Sequence, residues 1–288
     1  MLKDYYQLTK PGIIYGNAVT VIAGFLLATG NHAINWHLFV ETLVGISLIM
    51  ASGCVFNNYI DRDIDGKMER TKSRALVRGT ISPRGALAYG TALGSIGILV
   101  LFFYTNFLTT LVALGGLFAY VVLYSLWFKR TSTYGTLVGS ISGAVPPVVG
   151  YLSVSNHVTI GVVILFFILA IWQMPHSFAI AIYRLEDYRR AGIAVLPVKR
   201  GIFITKIQML IYIALFMLAT FALAVFGYVG YVYFFTMLVL GLGWLGFAIK
   251  GFSTSNNKRW ARAMFIFSIF ILLSFCLLVV ADVTHLFV

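Results

Sequence analysis

Apolar residues along this chain fall in long unbroken runs and not in short alternation. Runs rich in Ile, Leu, Val, Phe and Ala occupy residues near 12–29, 38–57, 86–104, 107–128, 136–154, 158–182, 207–226, 229–249 and 262–281. Each approaches or exceeds the roughly 20 residues needed to cross a hydrocarbon core. Backbone groups in hydrocarbon must satisfy one another within the segment, so runs of this length predict helices. The pattern therefore predicts an all-α, polytopic membrane protein: nine transmembrane helices in one domain over residues 1–288. Residues 1–11 lack the strongly basic start of a secretory signal, so the first run reads as a span that is retained.

Composition sharpens this. Sixty per cent of residues are apolar or aromatic and 10% are charged, against about 25% charged in soluble domains, which excludes an ordinary water-soluble globule. The two cysteines, Cys54 and Cys276, sit far apart in apolar runs, where they read as small buried hydrophobes and build neither a disulfide framework nor a clustered metal site. A net charge of +12 would suggest a nucleic acid partner if it were spread over a surface. It is not spread. All 21 Lys and Arg precede the first span or follow the second, fourth, sixth and eighth, so every one falls on the same side of a nine-span topology. The positive-inside bias then predicts a cytoplasmic amino terminus, an external carboxyl terminus and no nucleic acid partner.

Six of the nine acids gather in two of these connections: Asp61, Asp63, Asp65 and Glu69 after the second span, Glu186 and Asp187 after the sixth. For an arbitrary loop, surface ion pairing would be explanation enough. The spacing of Asn57, Asp61 and Asp65 asks for more. Recurring every four residues, they share one face of a helix that continues past the membrane edge, each about 6 Å from the next. Asp63 and Asn58 point elsewhere on that helix. A column of oxygen donors without nearby His or Cys favours a hard cation such as Mg2+, which takes one or two carboxylates together with substrate phosphates. The Lys and Arg around it suit the remaining phosphate oxygens.

The second cluster, Tyr183-Arg-Leu-Glu-Asp187-Tyr188, occupies the corresponding place after the sixth span. Long polar connections after spans two and six suggest two parallel four-helix units with a ninth helix added. His176 lies within the sixth span, toward this acidic end. Intramembrane ionisable residues are functional by default; a buried hydrogen bond to a neighbouring helix is the alternative. Gly139, Gly143, Pro146, Pro147 and Gly150 read as a seam of close helix packing, with the prolines interrupting the hydrogen-bond ladder, and Pro175 as a bend in span six.

Asn57-Asn58-Tyr-Ile-Asp61-Arg-Asp-Ile-Asp65 resembles the first aspartate motif of the UbiA superfamily of intramembrane prenyltransferases, and the region through Asp187 resembles the second. Thr9-Lys10-Pro11-Gly12, Tyr124-Ser125 before Lys129-Arg130, Gly143 to Tyr151 and Trp172-Gln173-Met174-Pro175-His176-Ser177-Phe178 are more similar to the branch of that superfamily that farnesylates heme. The remaining likeness is Asp187-Tyr188-Arg-Arg-Ala-Gly192 leading to Leu196-Pro197. These motifs lie within residues 3–200, and beyond them the likeness is one of hydropathy. Asn58 stands where quinone-type members carry Asp, and Tyr183 where the second motif would begin with Asp.

The resemblance implies a UbiA-type fold, with the helices around a central cavity that opens to the cytoplasmic side of a bacterial inner membrane. It also implies transfer of farnesyl from farnesyl diphosphate to a vinyl group of heme B, with water added, to give heme O. It places Mg2+ on Asn57, Asp61 and Asp65 with Asp187 opposite, and diphosphate on Lys10, Arg70, Arg74, Arg78 and Lys129. Tyr124 and Ser125 fall near the diphosphate; Asn58 and Tyr183 count among the substrate-binding positions, and His176 among the catalytic ones. Membrane lipid and a downstream heme-modifying enzyme or terminal oxidase are the further partners it suggests. A quinone-precursor prenyltransferase shares the metal chemistry with another acceptor, and a secondary transporter would place its charges nearer the bilayer midplane.

Overall fold

A computed structural model describes residues 2–284. The span order puts His285 near the outer face, and it lies outside the described residues. Among the described residues, nine helices are long and apolar enough to cross a membrane: α1 Pro11–Thr29, α2 Trp36–Asp65, α3 Pro83–Tyr104, α4 Phe107–Thr131, α5 Gly135–Ser155, α6 Ile160–Tyr183, α7 Gly201–Val225, α8 Tyr231–Ser253 and α9 Asn257–Ala281. Local chemistry starts most of them. The side chains of Asn35, Ser82, Asn106, Thr159 and Asn256 accept a backbone N–H in the first turns of α2, α3, α4, α6 and α9, satisfying donors that a helix start leaves unpaired.

Helices adjacent in sequence pack side by side, α9 returns to α1, and α5 packs directly against α1. That last contact is close because it is made by glycine. A Cβ on Gly24 would lie 2.0 Å from the Pro147 carbonyl oxygen, and one on Gly150 2.2 Å from that of Val21. The expected close seam on α5 is thus present, but α5 runs unbroken through Pro146 and Pro147, and α6 likewise through Pro175. Membrane helices tolerate prolines whose freed carbonyls find other partners.

Two boundaries differ from the hydropathy reading. α7 begins at Gly201 and α9 at Asn257, so Lys206, Lys258, Arg259 and Arg262 are helical and not in connections. Lys206 is the reason α7 looked shorter: a buried cation whose Nζ donates to the Gly251 carbonyl and to Asn257 Oδ1, both at 2.6 Å.

Short helices carry the connections at the basic end: Leu2–Leu8, Ala75–Arg78, Leu185–Arg190 and Leu196–Lys199. Leu8, Val55, Ala75, Ile81 and Ala86 pin the amino-terminal helix and the α2–α3 connection to the bundle. Ile64 and Met68 pack on Ala191 and Ile193, so the α2–α3 and α6–α7 connections meet over the helix ends. Burying these few side chains, at roughly 1.5 to 3 kcal/mol each, is what holds two charge-rich segments together.

Candidate active site

Beneath that junction lies a cavity of about 340 Å³. α2 lines it with Asn57, Asp61 and Asp65, so the four-residue spacing does place the three on one face turned to the interior. All three are buried, and Asp61 completely so. Such burial would be costly for two carboxylates without partners. Lys129 Nζ donates to Asp61 Oδ2, and Arg74 Nη1 to Asp65 Oδ2 at 2.5 Å. Asn57 accepts from Lys10 Nζ at Oδ1 and donates at 2.9 Å to both Asp61 Oδ2 and Ser125 Oγ.

The supply of cations exceeds that of acids. Lys10, Arg70, Arg74 and Lys129 line the cavity against Asp61 and Asp65, four charges against two. Arg70 forms no ion pair among the described residues. Lys10 sits at φ +53°, a left-handed conformation that costs a non-glycine residue about 1 to 2 kcal/mol, and in this conformation its ammonium reaches Asn57. Burial lowers its pKa to about 8, and nearby Arg74 and Lys129 push the same way. Such an arrangement is poised for an anion.

On the carboxylates, Asp61 Oδ1 and Asp65 Oδ1 are buried without a hydrogen-bond partner, the former 3.8 Å from Arg130 Nη2. Two unclaimed carboxylate oxygens beside an amide oxygen, with no sulfur or imidazole, form a donor set that fits Mg2+. Asp63 is turned away from the cavity into a two-toothed contact with Arg130, at 2.7 and 2.8 Å.

α4 supplies the aromatic wall through an unusual local geometry. Ala119–Phe128 is π-helical, and the Lys129 N–H reaches the Tyr124 carbonyl five residues back. On an α-helix, Tyr124 and Lys129 would stand about 140° apart. The wider turn brings both to the cavity, with the ammonium 5.8 Å from the ring centre. Tyr120 stacks on Tyr124 at 5.8 Å. Ser125, expected near the diphosphate, is fully buried and does not line the cavity; its Oγ accepts from Asn57 Nδ2 and donates to the Tyr120 carbonyl.

Five more expected residues stand elsewhere. Asn58 donates to the carbonyls of Leu8 and Cys54, tying the amino-terminal helix to α2 from the opposite face of the cavity column. Arg78 is spent on Asp4 at 3.1 Å. Asp187 does not line this cavity: α6 ends at Tyr183, Leu185–Arg190 forms its own short helix, and Asp187 Oδ1 accepts from Arg190 Nη2 at 3.0 Å. With Tyr183, Glu69 and Glu186 it lines a separate cavity. Among the described residues no three Asp, Glu, His or Cys converge as a metal group, so the expected set of four does not assemble in this structure. His176 faces α9, its Nδ1 bonded to Ser268 Oγ at 2.7 Å and its ring against Trp172 and Phe265. It takes the alternative position, a hydrogen bond between helices. The side chains that do reach the cavity from α6 are Gln173, Ser177, Ile180 and Ala181, and from the following connection Tyr188. Gln173, Ser177, Ile180 and Ala181 share one face of α6 at helical spacing, but carry no charge to mark that face in the sequence.

Residues 17–272 match the UbiA prenyltransferase family. The protoheme IX farnesyltransferase of Serratia proteamaculans (strain 568) is 51% identical over 282 residues, covering 98% of this chain and 95% of the relative. That of Sodalis glossinidius (strain morsitans) is 54% identical over 270 residues, covering 93% and 91%. Among solved structures, a digeranylgeranylglyceryl phosphate synthase superposes with a TM-score of 0.79 at 19% identity, covering 97% of this chain and 99% of that one. A UbiA homolog from Archaeoglobus fulgidus bound to GPP and Mg2+ gives 0.66 at 18% identity, covering 96% and 99%. These likenesses establish the fold, and the sequence relatives establish the family. An integral membrane protein with nine apolar helices among the described residues, this chain is a transferase of the UbiA prenyltransferase family and groups there with the protoheme IX farnesyltransferases.

Proposed function

We propose that the protein transfers the farnesyl group of farnesyl diphosphate to a vinyl group of heme B, with addition of water, giving heme O and diphosphate. The observation that carries this reading is the excess of four cations over two carboxylates around one cavity whose neighbouring wall is aromatic. A diphosphate bears several negative charges, and its prenyl tail needs an apolar, water-poor space. Lys10, Arg70, Arg74 and Lys129 take the phosphate oxygens, with Lys10, Arg74 and Lys129 exchanging their contacts with Asn57, Asp65 and Asp61 for bonds to the ligand. Asn57, Asp61 and Asp65 would hold Mg2+, which when bound supplies counter-charge to the leaving diphosphate. The stacked Tyr120 and Tyr124 present ring faces to the allylic cation, and the junction over the cavity limits the entry of water. The basic end of the bundle faces the cytoplasm of a bacterial inner membrane, with the amino terminus inside, following the charge asymmetry.

The test is incubation of purified protein in lipid nanodiscs with heme B, farnesyl diphosphate and Mg2+, with the porphyrin product identified by mass. A hydroxyl-bearing farnesyl adduct is expected. Farnesylation of a phenolic quinone precursor in its place would overturn the choice of acceptor, and no prenylation of either would overturn the reading of the site.

A further inference from the structure

One polar side chain stands beyond the phosphate-binding layer. Gln173 on α6 meets α5 at Ser140 and Gly143. These lie five and eight residues, or about 8 and 12 Å, along α5 from Gly135, which packs on Lys129 at the head of the cavity. The amide of Gln173 is oriented by its neighbours. Its Nε2 donates to two carbonyls, Leu169 at 3.1 Å and Ser140 at 3.3 Å; an oxygen in that position would face two acceptors, so the amide has one sensible orientation. Oε1 therefore lies against Gly143 on α5, where no Cβ fills the space, and accepts nothing from the described residues. The position is shaped for this group: a Cβ on residue 143 would stand 2.0 Å from Oε1, so only glycine leaves the amide where it is.

Ser177 lies one turn along α6 on the same face and also lines the cavity. Its hydroxyl has no partner among the described residues, whereas the nearby Ser140 hydroxyl is committed to Leu137. An open acceptor and an open hydroxyl on side chains one helical turn apart match what a bound water requires, which is two or more polar partners in an otherwise apolar space. Mechanism gives such a water a task. When the vinyl π pair forms the C–C bond to the farnesyl carbon, the C–O bond to diphosphate having broken with its electron pair on the diphosphate, a cation is left on the carbon next to the porphyrin ring. Either that cation takes the electron pair of water, the oxygen's proton passing to diphosphate, or it loses a proton and becomes an alkene.

We propose that Gln173 and Ser177 hold the water that captures this cation, Oε1 of Gln173 accepting one of its protons and orienting a lone pair toward the carbon. Gln173 is thus a positioning residue that selects the alcohol over the alkene. The inference rests on heme B being the acceptor, and the experiment separates the two. Wild type, Gln173→Met, Gln173→Glu and Ser177→Ala are each incubated with heme B and farnesyl diphosphate in water labelled with heavy oxygen, and the products are resolved by mass. Wild type is expected to give one labelled alcohol. Gln173→Met, of similar length without a fixed acceptor, is expected to shift at least about tenfold in the ratio toward the product lighter by one water. Ser177→Ala should shift it less, and Gln173→Glu, assayed at a pH low enough to protonate the acid so that it donates to the Leu169 and Ser140 carbonyls and keeps an acceptor oxygen, should restore the alcohol. An unchanged product ratio in Gln173→Met, at whatever rate, overturns the role of Gln173 while leaving the acceptor assignment standing. If Gln173→Met does not fold, an unchanged ratio in Ser177→Ala together with alkene from Gln173→Glu overturns it equally. Absence of any adduct from wild type would instead sink the choice of heme.

Discussion

The connections after α2 and α6 look alike in sequence, each mixing carboxylates with Lys and Arg just beyond a span, yet they are put to different uses. In the last turns of α2, Asp61 and Asp65 each keep one oxygen unclaimed in a buried layer shared with Lys10 just before α1, Lys129 of α4 and Arg74 of the following connection. After α6, Asp187 and Glu186 are taken by Arg190 and Arg189, three residues away on the same short helix. One cluster is held by distant parts of the chain and stays open to a ligand. The other largely satisfies itself. Equal charge composition therefore says little about function, and who supplies the partner says much.

The sharpest way to break this comparison is to remove its two sides in turn. Asp61→Ala or Asp65→Ala should leave membrane insertion intact and cut turnover by about 100-fold or more, the scale for loss of a major electrostatic stabiliser, with a raised Mg2+ requirement. Turnover at several Mg2+ concentrations measures both. Asp63→Ala, which only frees Arg130, should do far less; equal damage from Asp63 with a tolerant Asp61 would discard the account based on a shared helical face.

Asp187→Ala should fall between them, at roughly tenfold, the scale of one lost charged hydrogen bond. A loss matching that of Asp61→Ala would mean that the α6–α7 connection swings its carboxylate into the first cavity during turnover.

The pH response sharpens the same contrast. Lys10 is brought down to about 8 by burial, so it loses its proton as pH rises through that value, and a bound diphosphate, which favours the charged form, raises it again. Affinity for farnesyl diphosphate should therefore weaken severalfold between about pH 7 and about pH 9, and Lys10→Arg, charged throughout, should flatten the curve. Titration calorimetry across that range would show it.

The smallest effect belongs to His176. Ser268→Ala, which removes the partner of its imidazole, should lower stability by about 1 kcal/mol, seen as a slightly lower melting temperature. Affinity for farnesyl diphosphate should be unchanged, and a clear loss of it would return His176 to the cavity.

Much of this molecule was legible along the chain. The nine spans follow from run length, because an apolar segment in hydrocarbon has no alternative to the helix. The cavity face of α2 follows from a four-residue spacing that the helix preserves from Asn57 to Asp65. What the sequence could not decide rests on departures from regular helix and on contacts between distant segments. Tyr124 and Lys129 share the cavity only because α4 turns as a π-helix there, and no spacing rule for an α-helix would pair them. Asp187 left the site because the chain starts a new helix after Tyr183, so the phase of α6 is lost before the carboxylate is reached. Hydropathy places Lys206 in a connection, since it counts the charge without the carbonyl and amide that accept its protons within the bundle. His176 and Gln173, three residues apart on one helix, face α9 and the cavity respectively, and only the packing of α6 between α5 and α9 determines which of them meets a substrate.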